Sequence, residues 1–228
     1  GWSGPYGEFF LSWYSQMLLD HGERVLLAAS SVFRESALPA SAVKLSVKVA
    51  GIHWHYGTRS HAPELTAGYY NTRGRDGYLP VARMLGRHGA VLNFTCVEMR
   101  DHEQPGEAQC GPEPLVRQVG LAARLAGVPL AGENALPRYD ETAHDQIVRT
   151  AVVGADGVGE EMMCAFTYLR MRPELFQPDN WRRFVAFVKR MGEGRGGERC
   201  REQVEREAEQ FAGATQPLVQ EAAVAPSG

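Results

Sequence analysis

Leu130-Ala-Gly-Glu-Asn-Ala-Leu136 is a short apolar run that stops on a carboxylate with an amide beside it. Carboxylates are rarely buried without a partner, so Glu133 at the end of a buried strand is a paired, structural or acid–base group. Lys48 projects from the polar face of an alternating segment, Lys44 to Ala50, whose other face carries Leu45, Val47 and Val49. His53 follows five residues later, an odd separation that would put it on the opposite face of a regular strand. Both side chains can serve one cleft only if the chain leaves strand geometry between them, and Gly51 is where a bulge or turn can do so. Thr95 and Asn134 supply a hydroxyl and an amide that could orient Glu133 or bind a ligand's hydroxyls, with strand-end capping as the plain alternative. Arg170 is a clamp for a ligand oxygen or half of a structural ion pair.

His53 and His55, with His61 further on, also invite a metal reading. A catalytic zinc would want three protein ligands and usually a carboxylate near them, and here the third ligand would come from a loop. Hydrogen bonding to a neutral ligand is the stronger reading, and no metal or other cofactor is assigned. Trp54, Tyr56, Tyr69 and Tyr70 gather around the same loop, where aromatic faces either pack or stack on sugar rings. Cys96 reads as a buried thiol without a role. Glu98 and Glu64 are the remaining carboxylates nearby, the first read as part of a loop and the second as structural.

The elements that must position these residues can be read from periodicity. Apolar residues recur at helical spacing from Tyr6 to about Val32, after Pro5. The spacing then predicts a strand at Lys44–Ala50, a helix from Tyr78 to His88 closed by Gly89, a strand at Ala90–Cys96 and a helix from about Glu113 to Ala126. A third strand, Val128–Glu133, precedes a helix from about Glu141 to Val152 with Asp140 as its N-cap. A fourth strand spans Met162–Arg170, and a last helix runs from Asn180 to Met191. Strand–helix alternation of this kind argues for parallel strands joined by right-handed crossovers. Four such strands make half of an eight-stranded barrel or a small doubly wound sheet. Lys48, His53, Thr95, Glu133, Asn134 and Arg170 all fall at or near C-terminal strand ends, where a (β/α)8 barrel carries its chemistry. No phosphate-binding glycine loop follows any strand, which weighs against a nucleotide site.

Composition narrows the classes further. The 228 residues are 44% hydrophobic and 22% charged, with a net charge of −3, so there is no electrostatic reason to expect nucleic acid or an anionic membrane as partner. No apolar run approaches the roughly 20 residues needed to span a bilayer. Four separated cysteines suit a reducing compartment better than a disulfide framework. The opening Gly-Trp-Ser-Gly-Pro enters a helix almost at once and reads as a piece that begins part-way through a fold.

At these residues the sequence resembles the plant-type β-amylases, glycoside hydrolases that release β-maltose from the non-reducing ends of starch chains. The resemblance is carried by Lys48–Asn71 (KVAGIHWHYGTRSHAPELTAGYYN), Gly77–Leu85 (GYLPVARML), Val91–Pro105 (VLNFTCVEMRDHEQP), Leu130–Asp140 (LAGENALPRYD) and Phe166–Met171 (FTYLRM). It implies a (β/α)8 barrel of which this chain supplies roughly strands five to eight in residues 1–191, with 192–228 as a peripheral tail. It implies that Glu133 is the general base, that Lys48 and His53 bind the sugar on one side of the scissile bond, and that Thr95 holds Glu133 and responds to substrate. Asn134, Ala135 and Arg170 would contact the sugar that is cleaved off. The tail Gln216–Ala225 (QPLVQEAAVA) resembles plastid-type members, so plastid or cytoplasm is the expected location; the oligomeric state is left open.

An inverting glycosidase also needs a second carboxyl group as general acid, about 6.5–9.5 Å from the base. In the family that acid lies on the fourth strand, in a segment this sequence does not contain. Two further expectations therefore stand beside an α-1,4-glucan maltohydrolase: a truncated chain that at most binds glucan or a partner, and a metal-dependent hydrolase using the histidine-rich loop.

Overall fold

The alternation of the sequence becomes a single parallel sheet with helices against one of its faces. The structure, a computed structural model, describes residues 1–34, 44–153 and 163–192. In chain order it contains α1 (Pro5–Arg34), β1 (Ser46–Val49), α2 (Ala62–Thr66), α3 (Tyr78–Arg87), β2 (Val91–Phe94), α4 (Pro112–Leu125), β3 (Leu130–Glu133), α5 (Glu141–Val153), β4 (Ala165–Thr167) and α6 (Pro178–Gly192). The sheet order is β1-β2-β3-β4 with every pair parallel. Each strand therefore lies beside the next in sequence, and all four C-terminal ends meet at one rim. From residue 193 on, the segment read as a tail lies outside the described residues.

The period-2 pattern sorts the two faces. Val47 and Val49 of β1 and Leu92 and Phe94 of β2 pack with Tyr78, Ala82 and Leu85 of α3 and Leu115, Val116 and Val119 of α4. A second cluster joins Val97, Ile147, Val148 and Met163 to Phe166 of β4 and Phe187 of α6. Each large side chain buried here contributes roughly 1.5–3 kcal/mol. The other face of the sheet carries Lys48, Asn93, Thr95, Glu133 and Thr167, and no described helix covers it.

Strand ends are shorter than the apolar pattern suggests, because local donors and acceptors replace the ladder. The amide of Ala50 turns to the Tyr69 hydroxyl at 3.3 Å, ending β1. Cys96 takes a left-handed conformation, φ 59°, just past β2, and Arg170 does the same at φ 67° past β4. At the start of α5 the expected cap is present: Asp140 Oδ1 accepts from the Ala143 amide at 3.0 Å. Gly132 lets the chain pack closely, since a Cβ there would lie 2.5 Å from Met163 Sδ and 3.1 Å from Phe166, and the methionine side chain would have to move.

Helix α1 covers the span expected from its spacing. Its apolar residues recur at helical spacing, yet only Leu11 and Leu26 are buried, while Tyr6, Phe9, Trp13, Val25 and Val32 are exposed. The helix is docked by Leu26 in the main core cluster, by Leu11 against Leu65 and Tyr70, and by Glu23, which accepts from Arg87 at 2.8 Å and from His88 at 2.9 Å. No described helix is long and apolar enough to cross a membrane.

Candidate active site

The C-terminal rim of the sheet brings the sequence-identified residues together in two groups. The first is an ion pair. Lys48 Nζ donates to Glu133 Oε1 across the uncovered face of the sheet, with the Lys48 side chain 52% exposed and that of Glu133 6% exposed. The two strands are not neighbours. Lys48 pairs in register with Asn93 on β2, and Asn93 with Ala131 on β3, so Glu133 stands two residues further up the same face. The carboxylate is thus held by a long cation reaching over β2.

The second group is a set of backbone braces around the residues after Glu133. Asn134, 2% exposed, accepts from the Leu169 amide at 2.6 Å and donates to the Leu169 carbonyl at 3.0 Å. This reciprocal pair joins the ends of β3 and β4 as a ladder rung would. Ala135 is fixed from both sides: its amide donates to the Glu98 carboxylate at 2.9 Å, and its carbonyl accepts from Arg170 Nε at 3.2 Å. Tyr139 adds a bond from its hydroxyl to the Arg170 carbonyl at 2.7 Å. In the structure, then, Asn134 and Arg170 shape the rim through the backbone, with the Arg170 guanidinium resting on a carbonyl and not on a carboxylate.

His53 reaches this rim by the departure that its odd spacing demands. Strand geometry ends at Val49, and the His53 amide donates to the Gly51 carbonyl at 3.1 Å in a tight turn. A Cβ on Gly51 would stand 2.9 Å from Thr95 Cγ2 and 3.0 Å from Cys96 Sγ, so only glycine lets β1 pass so close to the end of β2. The His53 ring packs edge-on to Trp54 with centroids 5.5 Å apart, and its Nδ1 is buried without a hydrogen-bond partner. Burial also lowers its pKa, which favours the neutral imidazole. Thr95 packs its methyl toward Gly51; the partner that holds Glu133 is Lys48.

The other carboxylates near the rim are occupied. Glu98, 1% exposed, accepts from the amides of Ala135 and Leu136, the latter at 2.6 Å. Burial raises its pKa against the pull of those two amides and of Arg138. Its bracing role is the main feature that the sequence reading passed over, although a lone Glu between the apolar Val97 and Met99 was a usable signal. Glu64 is structural, as expected, and receives hydrogen bonds from His61, Asn71 and Tyr78. His61 is thereby committed to Glu64, and among the described residues no three His, Cys, Asp or Glu side chains converge as metal ligands.

What the arrangement can do is hold one ionisable carboxylate at the rim of a parallel sheet, beside a cation, on a face lined with polar side chains. Comparison with known proteins points the same way. Residues 1–197 match the model of the family described as "Glycosyl hydrolase family 14". The chain is 69% identical over 228 residues to "Beta-amylase 1, chloroplastic" of Arabidopsis thaliana, which covers 99% of this chain and 39% of the relative. Against "Beta-amylase 2, chloroplastic" of Oryza sativa subsp. japonica it is 73% identical over 225 residues, again with 99% and 39% covered. The catalytic domain of the β-amylase from Paenibacillus polymyxa superposes with a TM-score of 0.66 at 28% identity, covering 82% of this chain and 42% of that one. The chain therefore spans about two fifths of the length of the relatives it matches, and its α/β sheet corresponds to part of a TIM barrel.

Proposed function

Because this chain belongs to glycosyl hydrolase family 14, we propose that it is the portion of an inverting α-1,4-glucan maltohydrolase that carries the general base, Glu133. The observation that supports this most is the placement of Glu133: a nearly buried carboxylate at the C-terminal end of a parallel strand, on the uncovered sheet face, paired with Lys48. Strand ends of this kind are where barrel enzymes keep their chemistry. In this reading Glu133 takes a proton from the attacking water, while Lys48 and the neutral imidazole of His53 bind sugar oxygens beside it. Asn134, Ala135 and Arg170, braced by Glu98, Leu169 and Tyr139, contact the sugar that is cleaved off, and Thr95 responds to substrate and comes to hold Glu133. The substrate class is starch and related α-1,4-glucans. A plastid location fits the chloroplastic names of the relatives.

A specific observation favours a second statement about the 228-residue chain by itself. Inversion needs an acid opposite the base, about 6.5–9.5 Å away, and the two other carboxylates buried among the described residues, Glu64 and Glu98, are committed to hydrogen bonds on the helix side and in the rim loop. The family resemblance places the acid on the fourth strand, in a segment this chain does not span, and the chain alone is expected to release no maltose.

The test is a chimera in which this chain replaces the matched part of the Arabidopsis thaliana relative. We expect maltose release from soluble starch with β-anomeric product. Glu133→Gln should reduce kcat by more than the roughly 10²–10⁴ of an ordinary general base, since no other group activates the water. Substantial activity in that variant would sink the assignment.

A further inference from the structure

We propose that Glu64 is a positioning residue for His53, acting through the loop that joins β1 to α3. The proposal rests on the reading of His53 as a substrate-binding group.

Glu64 sits on the short helix α2 and is 0% exposed. Its carboxylate accepts from the Tyr78 hydroxyl at 2.6 Å, from His61 Nδ1 at 2.8 Å and from the Asn71 amide at 3.0 Å. A carboxylate is acceptor-only, so several converging donors match its capacity and hold it in place. Tyr78 is the first residue of α3, which ties the loop to that helix. Asn71 extends the tie to α4: its Oδ1 accepts from Gln118 Nε2 at 2.8 Å and from the Gly77 amide at 3.0 Å. Gln118 in turn accepts from the Tyr56 hydroxyl at 3.0 Å, and the Tyr56 ring lies 4.6 Å from the His61 imidazole.

Tyr56 is three residues past His53, in the turn that follows, which the Thr58 amide closes on the His55 carbonyl at 3.1 Å. The other side of the turn is pinned by backbone bonds to the segment before α4. His55 donates to Ala108 at 2.7 Å, Gly57 to Gln109 at 2.9 Å, and Gly111 to the His53 carbonyl at 2.9 Å. The His53 ring has no hydrogen bond on Nδ1 to fix it. Apart from its edge-on packing against Trp54, its position follows from its backbone, which is pinned to the segment 108–111 and linked through Tyr56 to the network centred on Glu64. A loop needing only to be filled could be packed by apolar side chains. A hub that collects donors from His61, Asn71 and Tyr78 instead fixes the orientation of the turn.

Two measurements test this, one of which does not depend on the enzymatic reading. In the 228-residue chain, Glu64→Gln places an amide N–H₂ among donors while keeping the shape of the side chain. The amides of His55, Gly57 and Gly111 should then exchange about tenfold faster or more, while Leu92, bonded to the Pro129 carbonyl in the sheet, keeps its protection. In the chimera described above, the same substitution should raise KM for starch by about tenfold with kcat changed by less than about threefold, the mark of lost uniform binding. Unchanged exchange at the three amides, or a fall in kcat at constant KM, overturns the proposal. Should Glu64→Gln fail to fold, Tyr78→Phe deletes a single donor, and the same pattern in smaller degree is required of it; no change in exchange overturns the proposal equally. A chimera that releases no maltose, or that survives Glu133→Gln, would defeat the functional reading and leave the exchange result to decide the positioning role on its own.

Discussion

Lys48 and Glu133 form their ion pair from strands that are not adjacent, with β2 lying between them. Two strand spacings are about 9.5 Å, so the contact requires both a long cation and an extended carboxylate. It is made on the face that the described helices leave open, which means that the sheet alone, without its helical layer, sets the geometry of the charged pair. Neither residue's partner is evident from its own strand; the register Lys48↔Asn93↔Ala131 is what aligns them.

Removing the cation should therefore be felt at the carboxylate. Lys48→Met leaves Glu133 nearly buried beside an apolar chain, and the 228-residue protein should lose about 1–2 kcal/mol in chemical denaturation, a figure reduced because Lys48 is half exposed. In the chimera, maltose release should drop by about 10² or more. Lys48→Arg, which restores the charge but carries it on a broad planar head in place of a compact ammonium, should recover part of it. Activity equal to the unsubstituted chimera in Lys48→Met would separate Lys48 from the base.

Asn134 offers a cleaner stability measurement. Its amide replaces a backbone rung between β3 and β4, satisfying both the N–H and the C=O of Leu169. Asn134→Ala removes the partner of two part-buried backbone groups, at a cost of about 1–2 kcal/mol. The substitution should also loosen Arg170, whose left-handed backbone follows directly. Equilibrium urea unfolding of the 228-residue chain reads this out; a loss under half a kcal/mol, roughly the scatter of a surface substitution, would show that water serves Leu169 equally well.

Lys48 and His53 show where sequence reading succeeds. The alternation at Lys44–Ala50 was enough to put Lys48 on the polar face, and a glycine between it and His53 was enough to demand a turn; both are local properties with a fixed period. The four strands and their parallel order followed from helix–strand alternation for the same reason. What the sequence did not convey depends on contacts between segments far apart. Glu98 meets the amides of Ala135 and Leu136 across 37 and 38 residues, and nothing in its own neighbourhood specifies that partner. The long apolar pattern of α1 reported a helix correctly and was silent on its burial, since periodicity records which face is apolar and not whether something covers it. Strand ends were overextended because Tyr69 and Asn134 capture backbone amides that the ladder would otherwise use.

Glu98 carries the third expectation. Both of its oxygens accept from the backbone just past Glu133, so it defines the path of the loop that presents Ala135. Glu98→Gln retains volume but turns one acceptor into a donor facing N–H groups, which should cost about 1–3 kcal/mol of stability. In the chimera, kcat should fall by at least about tenfold, with Glu98→Asp no better because its shorter side chain cannot span both amides. A Glu98→Gln chimera with unaltered kcat and stability would show the brace to be dispensable.

His144 makes the stability of the chain depend on pH in a direction that can be fixed in advance. Its imidazole is 2% exposed, stacks on Phe187 at 4.6 Å and lies 2.9 Å from the Tyr168 hydroxyl through Nε2. Burial lowers its pKa from 6.5 to about 4, with Asp140 and Asp145 opposing that shift and Arg190 and Arg183 reinforcing it. The folded value is depressed, so between about 6.5 and 4 the unfolded chain binds a proton that the folded chain refuses. The stabilisation attached to His144 is thus complete above pH 6.5 and is lost as the pH falls toward 4. Glu98 contributes with the opposite sign in the acid range, because its folded pKa is raised. The comparison must therefore be made against His144→Phe, which keeps the stacking surface and removes the titration. The urea midpoint of the native chain should fall from pH 7.5 to pH 5 by more than that of the variant. Equal slopes in the two proteins would show that His144 accepts its proton without leaving the fold.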